Sequence, residues 1–262
     1  MNAQIKGLII ISFNLLILLG IGILWMQSVK ERRIGHIQSV KVSIQTAGNG
    51  SLLEEKDVRL WVQTFYEKDF TKIPVYRLRL DQLEKYLQNQ PLVRSVQVYV
   101  DPQYILHIKM DQRQPVVRVV DVQGGQFYLD ETGFVIPVSS KYGIRVPVAT
   151  GLLTPVSGSR LDDKNKLHYG GLIEWVKAIE ADSFAKALVE QIDLDENGDF
   201  ILIPKICHEK IMVGGAEAIE DKLNRLKLFY RENMGRQGWN VYKTINLKFK
   251  GQIVGRKENL ES

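Results

Sequence analysis

A run of twenty residues without a charged side chain, from Gly7 to Met26, constrains this chain more than any other feature. As an α-helix, a run of this length crosses the roughly 30 Å of hydrocarbon in a bilayer. It is longer than the apolar core of a cleavable signal peptide, and no small-residue pattern typical of a cleavage site follows it. We therefore expect an uncleaved membrane helix over residues 7–29, with residues 1–6 as a short tail.

The charges on either side of this segment do not decide its orientation. Lys30, Arg32 and Arg33 follow the run, whereas Lys6 is the charged side chain that precedes it. A count of basic residues would place the rest of the chain in the cytoplasm. That rule is weak when a long domain is translocated, so the residues alone leave the side open.

The composition is that of a folded protein that depends on a hydrophobic core. Hydrophobic residues make up 45% of the sequence and charged residues 25%, as in globular proteins. Cys207 is the one cysteine, so an intramolecular disulfide cannot form. The net charge is +5, and no basic stripe with interleaved aromatic residues is present, so we do not expect nucleic-acid binding.

The hydrophobic pattern predicts a small α+β domain over residues 37–112, with the order β-α-α-β-β. The predicted elements are a strand at Val40–Ile44, a helix over 52–66 with a capping box at Ser51 and Glu54, a helix that starts near Asp81 and ends before Pro91, and two strands around Asp101 and Pro102. Two helices on one face of a three-stranded sheet form a complete layered unit. Units of this kind usually bind peptides or proteins.

A larger mixed β domain with helices is predicted over residues 113–256, followed by a tail over 257–262. Short apolar runs separated by turn residues predict successive strands, and an amphipathic helix is predicted over 216–232. The last strand alternates, so that Ile245, Leu247 and Phe249 should face one way. The predicted fold class is therefore α+β throughout the body.

One segment resembles a calcium-binding loop, because Asp193 and Asp195 stand at its first and third positions. The twelfth position must supply a bidentate acid, and Pro204 stands there. We expect a β-hairpin with Asn197 and Gly198 at its tip instead.

The remaining reactive side chains do not form a recognisable site. Cys207 and His208 are neighbours and would point to opposite faces of a strand. His36, His107 and His168 lie on different predicted elements, and His107 shares a strand face with Lys109, so we expect it to be exposed. We expect no metal, no cofactor and no enzymatic activity.

The order and spacing of several short motifs resemble the FtsQ/DivIB family of bacterial cell-division proteins. The stretch from Gln112 to Arg118 is similar to the family's arginine-x-proline-valine-x-arginine junction between two domains. Tyr128–Asp130 and Asn246–Phe249, with Val254 and Gly255, are further matches. The resemblance implies a cytoplasmic tail, one membrane helix, a POTRA domain and a β domain that ends in a partner-binding strand.

The resemblance also implies a location, partners and site residues. The chain would be a single-pass type II protein of the inner membrane at the division septum, with residues 30–262 on the extracytoplasmic (periplasmic) side. It would bind FtsB-like and FtsL-like division proteins and, through them, the septal peptidoglycan synthase. The implied partner-binding positions are Lys248, Phe249, Val254 and Gly255, and the implied junction positions are Arg113, Pro115 and Arg118.

Three alternatives remain at the level of the sequence. The chain could be a membrane-anchored enzyme of the cell wall, although no catalytic group was recognised. It could be a POTRA-containing component of secretion or outer-membrane assembly, which would normally carry tandem repeats or a transmembrane barrel. At the level of the site, Phe249 could simply fill the core.

Overall fold

The computed structural model describes residues 13–26, 35–46, 51–67, 69–139, 143–161, 163–206, 208–234 and 241–257. It has mixed α+β architecture, as predicted, and divides into two units, Met1–Gln112 and Arg113–Ser262.

Within the first unit, residues 13–26 are helical, and we call this helix α1. Residues 7–12 and 27–29 of the predicted membrane helix lie outside the described residues. Within the described part of the chain, no helix has both the length and the apolar character that a membrane span requires.

After α1, the described residues of the first unit form two further α-helices and a three-stranded sheet. Its elements are β1 (Ser39–Gln45), α2 (Glu55–Tyr66), α3 (Leu80–Gln88), β2 (Val93–Val100) and β3 (Ile105–Gln112). The strand order is β1-β3-β2, with β1 parallel and β2 antiparallel to β3. Alternate residues of β3 and the apolar faces of both helices are buried, and alternate residues of β1 are half-buried, which is the packing that the alternation predicts.

The start of α2 differs from the prediction. The capping box is formed by Glu54 and Asp57, with the Glu54 backbone N–H donating to Asp57 Oδ2 at 3.1 Å, so the pairing of Ser51 with Glu54 was wrong. The hydroxyl of Ser51 instead donates to the Leu53 carbonyl. The helix therefore begins about one turn later than the sequence pattern suggested.

His107 lies in a partly enclosed site, and the expectation that it is exposed was wrong. Its Nε2 is 2.7 Å from Oδ2 of Asp101, and its ring stacks on Tyr99 with 4.9 Å between ring centres. Oδ1 of Asp101 accepts from the backbone N–H groups of Gln103 and Ile105, both at 2.9 Å. The pKa of Asp101 is lowered, first by the hydrogen bond from His107 and then by these backbone donors.

The second unit is built on a nine-stranded sheet with three helices. The strands are β4 (Pro115–Val120), β5 (Gln126–Asp130), β6 (Val135–Pro137), β7 (Val148–Gly151), β8 (Val189–Leu194), β9 (Phe200–Pro204), β10 (Lys210–Gly214), β11 (Tyr242–Asn246) and β12 (Val254–Lys257). The helices are α4 (Asp163–Ala181), α5 (Ser183–Leu188) and α6 (Ile219–Phe229). The strand order is β12-β11-β10-β9-β8-β7-β4-β5-β6. Trp175, Tyr169 and Leu226 are fully buried in its core with apolar residues of the sheet.

Two local predictions in this unit had different outcomes. The hairpin between β8 and β9 is confirmed, because Asp195 Oδ1 accepts from the backbone of Asn197 and Asp199 while Gly198 takes a φ of 78°. The helix predicted over 216–232 is shorter, since α6 ends at Phe229 and a π-turn follows at Tyr230–Met234.

His36 and His208, the other histidines whose side chains the structure describes, lie in different units. His36 forms a bridge with Pro74 in the first unit, whereas His208 lies exposed just before β10. Cys207 and the side chain of His168 lie outside the described residues. Among the described residues, no cluster of three or more potential metal ligands occurs.

Candidate partner-binding edge

The nine-stranded sheet has two edges, and they differ in whether another segment covers them. At β6, the N–H of Val135 donates to the carbonyl of Ser159 at 3.0 Å, and Phe134 bridges to Arg160. At β12, all four residues are exposed, and within the described chain β11 is its one neighbouring strand. The open edge of the sheet is therefore β12.

β12 runs antiparallel to β11. The paired residues are Tyr242 with Lys257, Thr244 with Arg256, Ile245 with Gly255, and Asn246 with Val254. Side chains alternate along a strand, so Val254 and Arg256 lie on one face of the sheet while Gly255 and Lys257 lie on the other. The edge thus presents a different pair of side chains on each face.

Gly255 allows an aromatic ring to lie against the strand. A Cβ atom at Gly255 would be 2.6 Å from Cε1 of Tyr242, which is closer than real contacts allow. The Tyr242 ring also packs edge-on against Phe229 of α6, with 5.2 Å between ring centres. The missing side chain of Gly255 therefore lets Tyr242 link β12 to the helix.

Phe249 lies in the connection between β11 and β12, outside the sheet ladder. Ile245 and Leu247 are fully buried, as predicted, but Phe249 is 54% exposed. The N–H of Gln252 donates to the Phe249 carbonyl at 3.3 Å, and Gly251 takes a φ of 69° within this turn. The prediction that Phe249 shares a face with Ile245 and Leu247 was wrong. The alternative that Phe249 fills the core was wrong as well.

Arg225 of α6 fixes the shape of this connection. Its Nη1 donates to the carbonyl of Phe249 at 3.0 Å and also to that of Gln252, and its Nη2 donates to the carbonyl of Leu247 at 3.2 Å. Its Nε donates to Oδ2 of Asp221 at 2.8 Å, and only 14% of its side chain is exposed. Guanidinium keeps its charge and offers five donors in a planar fork, so one side chain can organise three carbonyls.

Lys248 is held by the neighbouring hairpin. Its Nζ forms an ion pair with Asp199, and its backbone N–H donates to Oδ1 of Asn246 at 2.9 Å. The hydrogen bond that Lys248 donates to Asp199 raises the pKa of Lys248, against a smaller opposing effect of desolvation. Of the four implied partner-binding residues, Phe249, Val254 and Gly255 are thus on the open surface, whereas Lys248 has a partner within its own unit.

The implied junction residues belong to the opposite part of the sheet. Nη1 of Arg113 is 2.8 Å from Oδ2 of Asp130, and its guanidinium carbon lies 3.6 Å from the centre of the Phe134 ring. Burial raises the pKa of Asp130, but hydrogen bonds from Thr132, from the Phe134 N–H and from Arg113 outweigh it and leave the pKa lowered.

Pro115 and Arg118 lie on β4, next to Arg113. Pro115 begins the strand and pairs with Asp130, while Arg118 donates to the Gln126 side chain. Five strands separate β4 from β12 in the sheet. The structure therefore does not bring the junction residues to the open edge.

Two surface depressions occur away from this edge. One of about 520 Å³ lies between α4 and the start of α6, and one of about 590 Å³ lies beside β1 and α2. Their described lining residues include no histidine and no cysteine. Among their described lining residues, neither depression pairs such a nucleophile or base with an acid.

Comparisons with known proteins address the same part of the chain. Residues 114–256 match the family model described as FtsQ/DivIB, C-terminal related. The chain is 30% identical over 173 residues to the cell division protein FtsQ of Rhodothermus marinus, covering 64% of this chain and 62% of that protein. It is 26% identical over 159 residues to the cell division protein FtsQ of Salinibacter ruber, covering 60% and 61% respectively. The match spans about three fifths of the length of these curated relatives.

Proposed function

Because this chain belongs to the FtsQ/DivIB family, we propose that it is a non-catalytic scaffold of the bacterial division machinery. The scaffold binds FtsB-like and FtsL-like division proteins and, through them, acts on the septal peptidoglycan synthase. The open β12 edge is the observation that carries this proposal. A free strand edge provides backbone donors and acceptors for an extended segment of another protein.

The FtsB-like protein is the proposed occupant of this edge. Phe249 precedes β12 and Val254 begins it, both apolar side chains are about half exposed, and the other residues of β12 are exposed as well. An added strand would gain main-chain hydrogen bonds from β12 and apolar contacts from these two side chains. The FtsL-like protein would join through the FtsB-like one.

The proposal includes a membrane anchor over residues 7–29. Residues 1–6 would lie in the cytoplasm and residues 30–262 on the extracytoplasmic side of the inner membrane. The uncharged run supports the anchor, and family membership supports the orientation. The first unit would be the family's POTRA domain, and its β-α-α-β-β order is consistent with that identity.

A scaffold needs no catalytic centre, and the described side chains fit this view. The carboxylate that His107 contacts, Asp101, is already occupied by two backbone donors, and His36 and His208 lie elsewhere. Alanine at any one of these histidines should leave division competent in every variant that folds. A division defect in a stable, correctly located alanine variant would revive an enzymatic function.

Depletion combined with co-purification tests the function directly. Loss of the protein should give filamentous cells, and the tagged full-length chain in detergent should retain the FtsB-like protein of the same cell. Protease added to spheroplasts should remove the body. Normal division after depletion, or defects confined to outer-membrane assembly, would reject the scaffold in favour of the secretion alternative.

A further inference from the structure

The open edge carries a strong local excess of positive charge. Residues 241–257 include no acidic residue and five basic residues: Lys243, Lys248, Lys250, Arg256 and Lys257. Glu258 and Glu261 follow, outside the described residues, and counting them still leaves an excess of three positive charges. Charge of one sign on a binding edge selects partners of the opposite sign.

Most of this charge is not neutralised within the unit. Lys248 pairs with Asp199, but Lys250, Arg256 and Lys257 are exposed and have no carboxylate partner among the described residues. Lys257 has its Nζ 6.0 Å from the centre of the Tyr242 ring, on the other face of the strand from Arg256. Both faces of β12 therefore present a free cation.

The arrangement disfavours a second copy of this chain at the edge. Two β12 strands side by side would bring Arg256 and Lys257 of one copy near the same residues of the other. Like charges in neighbouring strand positions are destabilising, and charged edges are a common device against self-association.

A lipid surface fits less well than a polypeptide. Arg256, Lys257 and exposed Val254 could contact anionic headgroups, but the unpaired N–H and C=O groups of β12 could not be satisfied by hydrocarbon. An extended polypeptide satisfies both the backbone groups and the charges.

We propose that the β12 edge accepts an extended segment of another protein that carries two consecutive acidic residues, one residue away from an apolar residue. The acids lie beside Arg256 and Lys257, one on each face, and the apolar side chain lies beside Val254. The residue between them lies beside Gly255. This inference rests on the proposed docking at β12 and specifies the chemistry of its partner.

Peptides test this chemistry without any division protein. The probe is the labelled peptide Thr-Val-Thr-Glu-Glu-Thr-Val-Thr, which presents the pattern in both strand directions, with Gln-Gln and Lys-Lys versions as controls. Fluorescence anisotropy is measured with the full-length protein in detergent, at low and high salt. We expect the acidic peptide to bind at least about tenfold more tightly than the Lys-Lys version, and salt to reduce the difference.

Charge-reversal variants locate the effect on β12. Arg256→Glu with Lys257→Glu should abolish the preference for the acidic peptide. The matched control is Lys41→Glu with Lys85→Glu, two exposed residues of the first unit, which alters the net charge equally and should keep the preference. Because all four residues are exposed, we expect every variant to fold; Arg256→Gln with Lys257→Gln provides a milder version.

The outcomes separate this inference from the proposed function. Equal binding of the three peptides, or a preference that survives the β12 reversal, overturns the acidic-partner inference. Binding to phosphatidylglycerol nanodiscs that depends on Arg256 and Lys257, without a preference among peptides, overturns it in favour of a membrane surface. Failure of the FtsB-like protein to co-purify, with the peptide preference intact, rejects the proposed partner alone.

Discussion

Gln112 and Arg113 are neighbours in the chain, yet their side chains form hydrogen bonds in different units. Oε1 of Gln112 accepts from the N–H groups of Leu52 and Leu53, at 2.8 and 3.0 Å, in the first unit. Arg113 binds Asp130 in the second. Each buried side chain thus forms hydrogen bonds within its own unit. The boundary between the two units falls on the peptide bond between Gln112 and Arg113.

Replacing Arg113 should destabilise the second unit. Arg113→Met leaves the Asp130 carboxylate buried without its cation, which costs about 3 kcal/mol of unfolding free energy. Chemical denaturation of the full-length protein measures the loss. Arg118→Met is the matched control, because Arg118 contacts the neutral Gln126 side chain, and should cost less than about 1 kcal/mol. Equal losses would show that the Asp130 pair has no special role.

Replacing Asp101 should change the acid stability of the first unit. The folded pKa of Asp101 is lowered, so its stabilising effect is present above the unfolded pKa and is lost as pH falls through the folded value. Asp101→Asn should lower the stability of this unit at neutral pH and flatten its dependence on pH below about 4. Hydrogen exchange of the β2 and β3 amides at several pH values measures this effect. An unchanged acid profile would contradict the role of the His107 contact.

Replacing Arg225 should loosen the turn that presents Phe249. Arg225→Met removes charge-assisted donors to three carbonyls, and we expect amides 249–257 to exchange at least about tenfold faster while β9 is unaffected. Binding of the FtsB-like protein should weaken in parallel. Arg231→Met, at an exposed position just after α6, is the control. Unchanged exchange in the turn would mean that Arg225 does not position it.

Adding a methyl group at Gly255 should separate Tyr242 from β12. In Gly255→Ala the new Cβ forces the ring to move, so the strand edge should fray and partner binding should fall. Tyr242→Ala alone loses the contact with Phe229. The double variant should lose less unfolding free energy than the two single variants lose together. A double-mutant cycle of unfolding free energies measures this difference. Additive costs would rule out the steric link.

Proline substitutions should separate docking from folding. Along β12 successive N–H groups point to opposite sides, so one of Arg256→Pro and Lys257→Pro removes a bond to β11 and the other removes a donor that faces outward. The variant that loses the bond to β11 should have a lower melting temperature. The variant that loses the outward-facing donor should not bind the FtsB-like protein, and its stability should be nearly unchanged. Lys250→Pro is the control, because proline suits the second position of the turn that starts at Phe249. Full binding by both strand variants would exclude docking on β12.

Local sequence patterns anticipated the elements of the fold better than the details of the site. Alternation and helical periodicity identified the buried faces, such as Ile245 and Leu247, because burial acts on every second or every third to fourth residue. The same alternation continues through Phe249 and Lys250, although β11 ends at Asn246. Gly251 is the first residue whose type indicates the turn before β12.

The missed contacts of Arg225 join residues distant in sequence. The sequence around Arg225 predicts an exposed ion pair with Asp221 at i,i+4 spacing. No local pattern predicts its hydrogen bonds to carbonyl groups 22 to 27 residues away. The contact of His107 with Asp101 is local, since Asp101 lies six residues earlier in the turn between β2 and β3, but the alternation along β3 does not indicate that this turn reaches back to His107. The basic excess of 241–257 was visible in the sequence, but its importance depends on which strand lies at the edge.

From β7 to β12 the strands lie side by side in the order in which a ribosome produces them. Each newly made strand therefore covers the edge left by the one before, and the edge that remains open is formed only after Lys257 has been synthesised. A nascent chain stopped before Val254 would expose β11, which has one basic residue, Lys243, and no glycine, whereas β12 has Arg256, Lys257 and Gly255. A partner that binds at β12 could then be recruited only after the whole sheet has been translated.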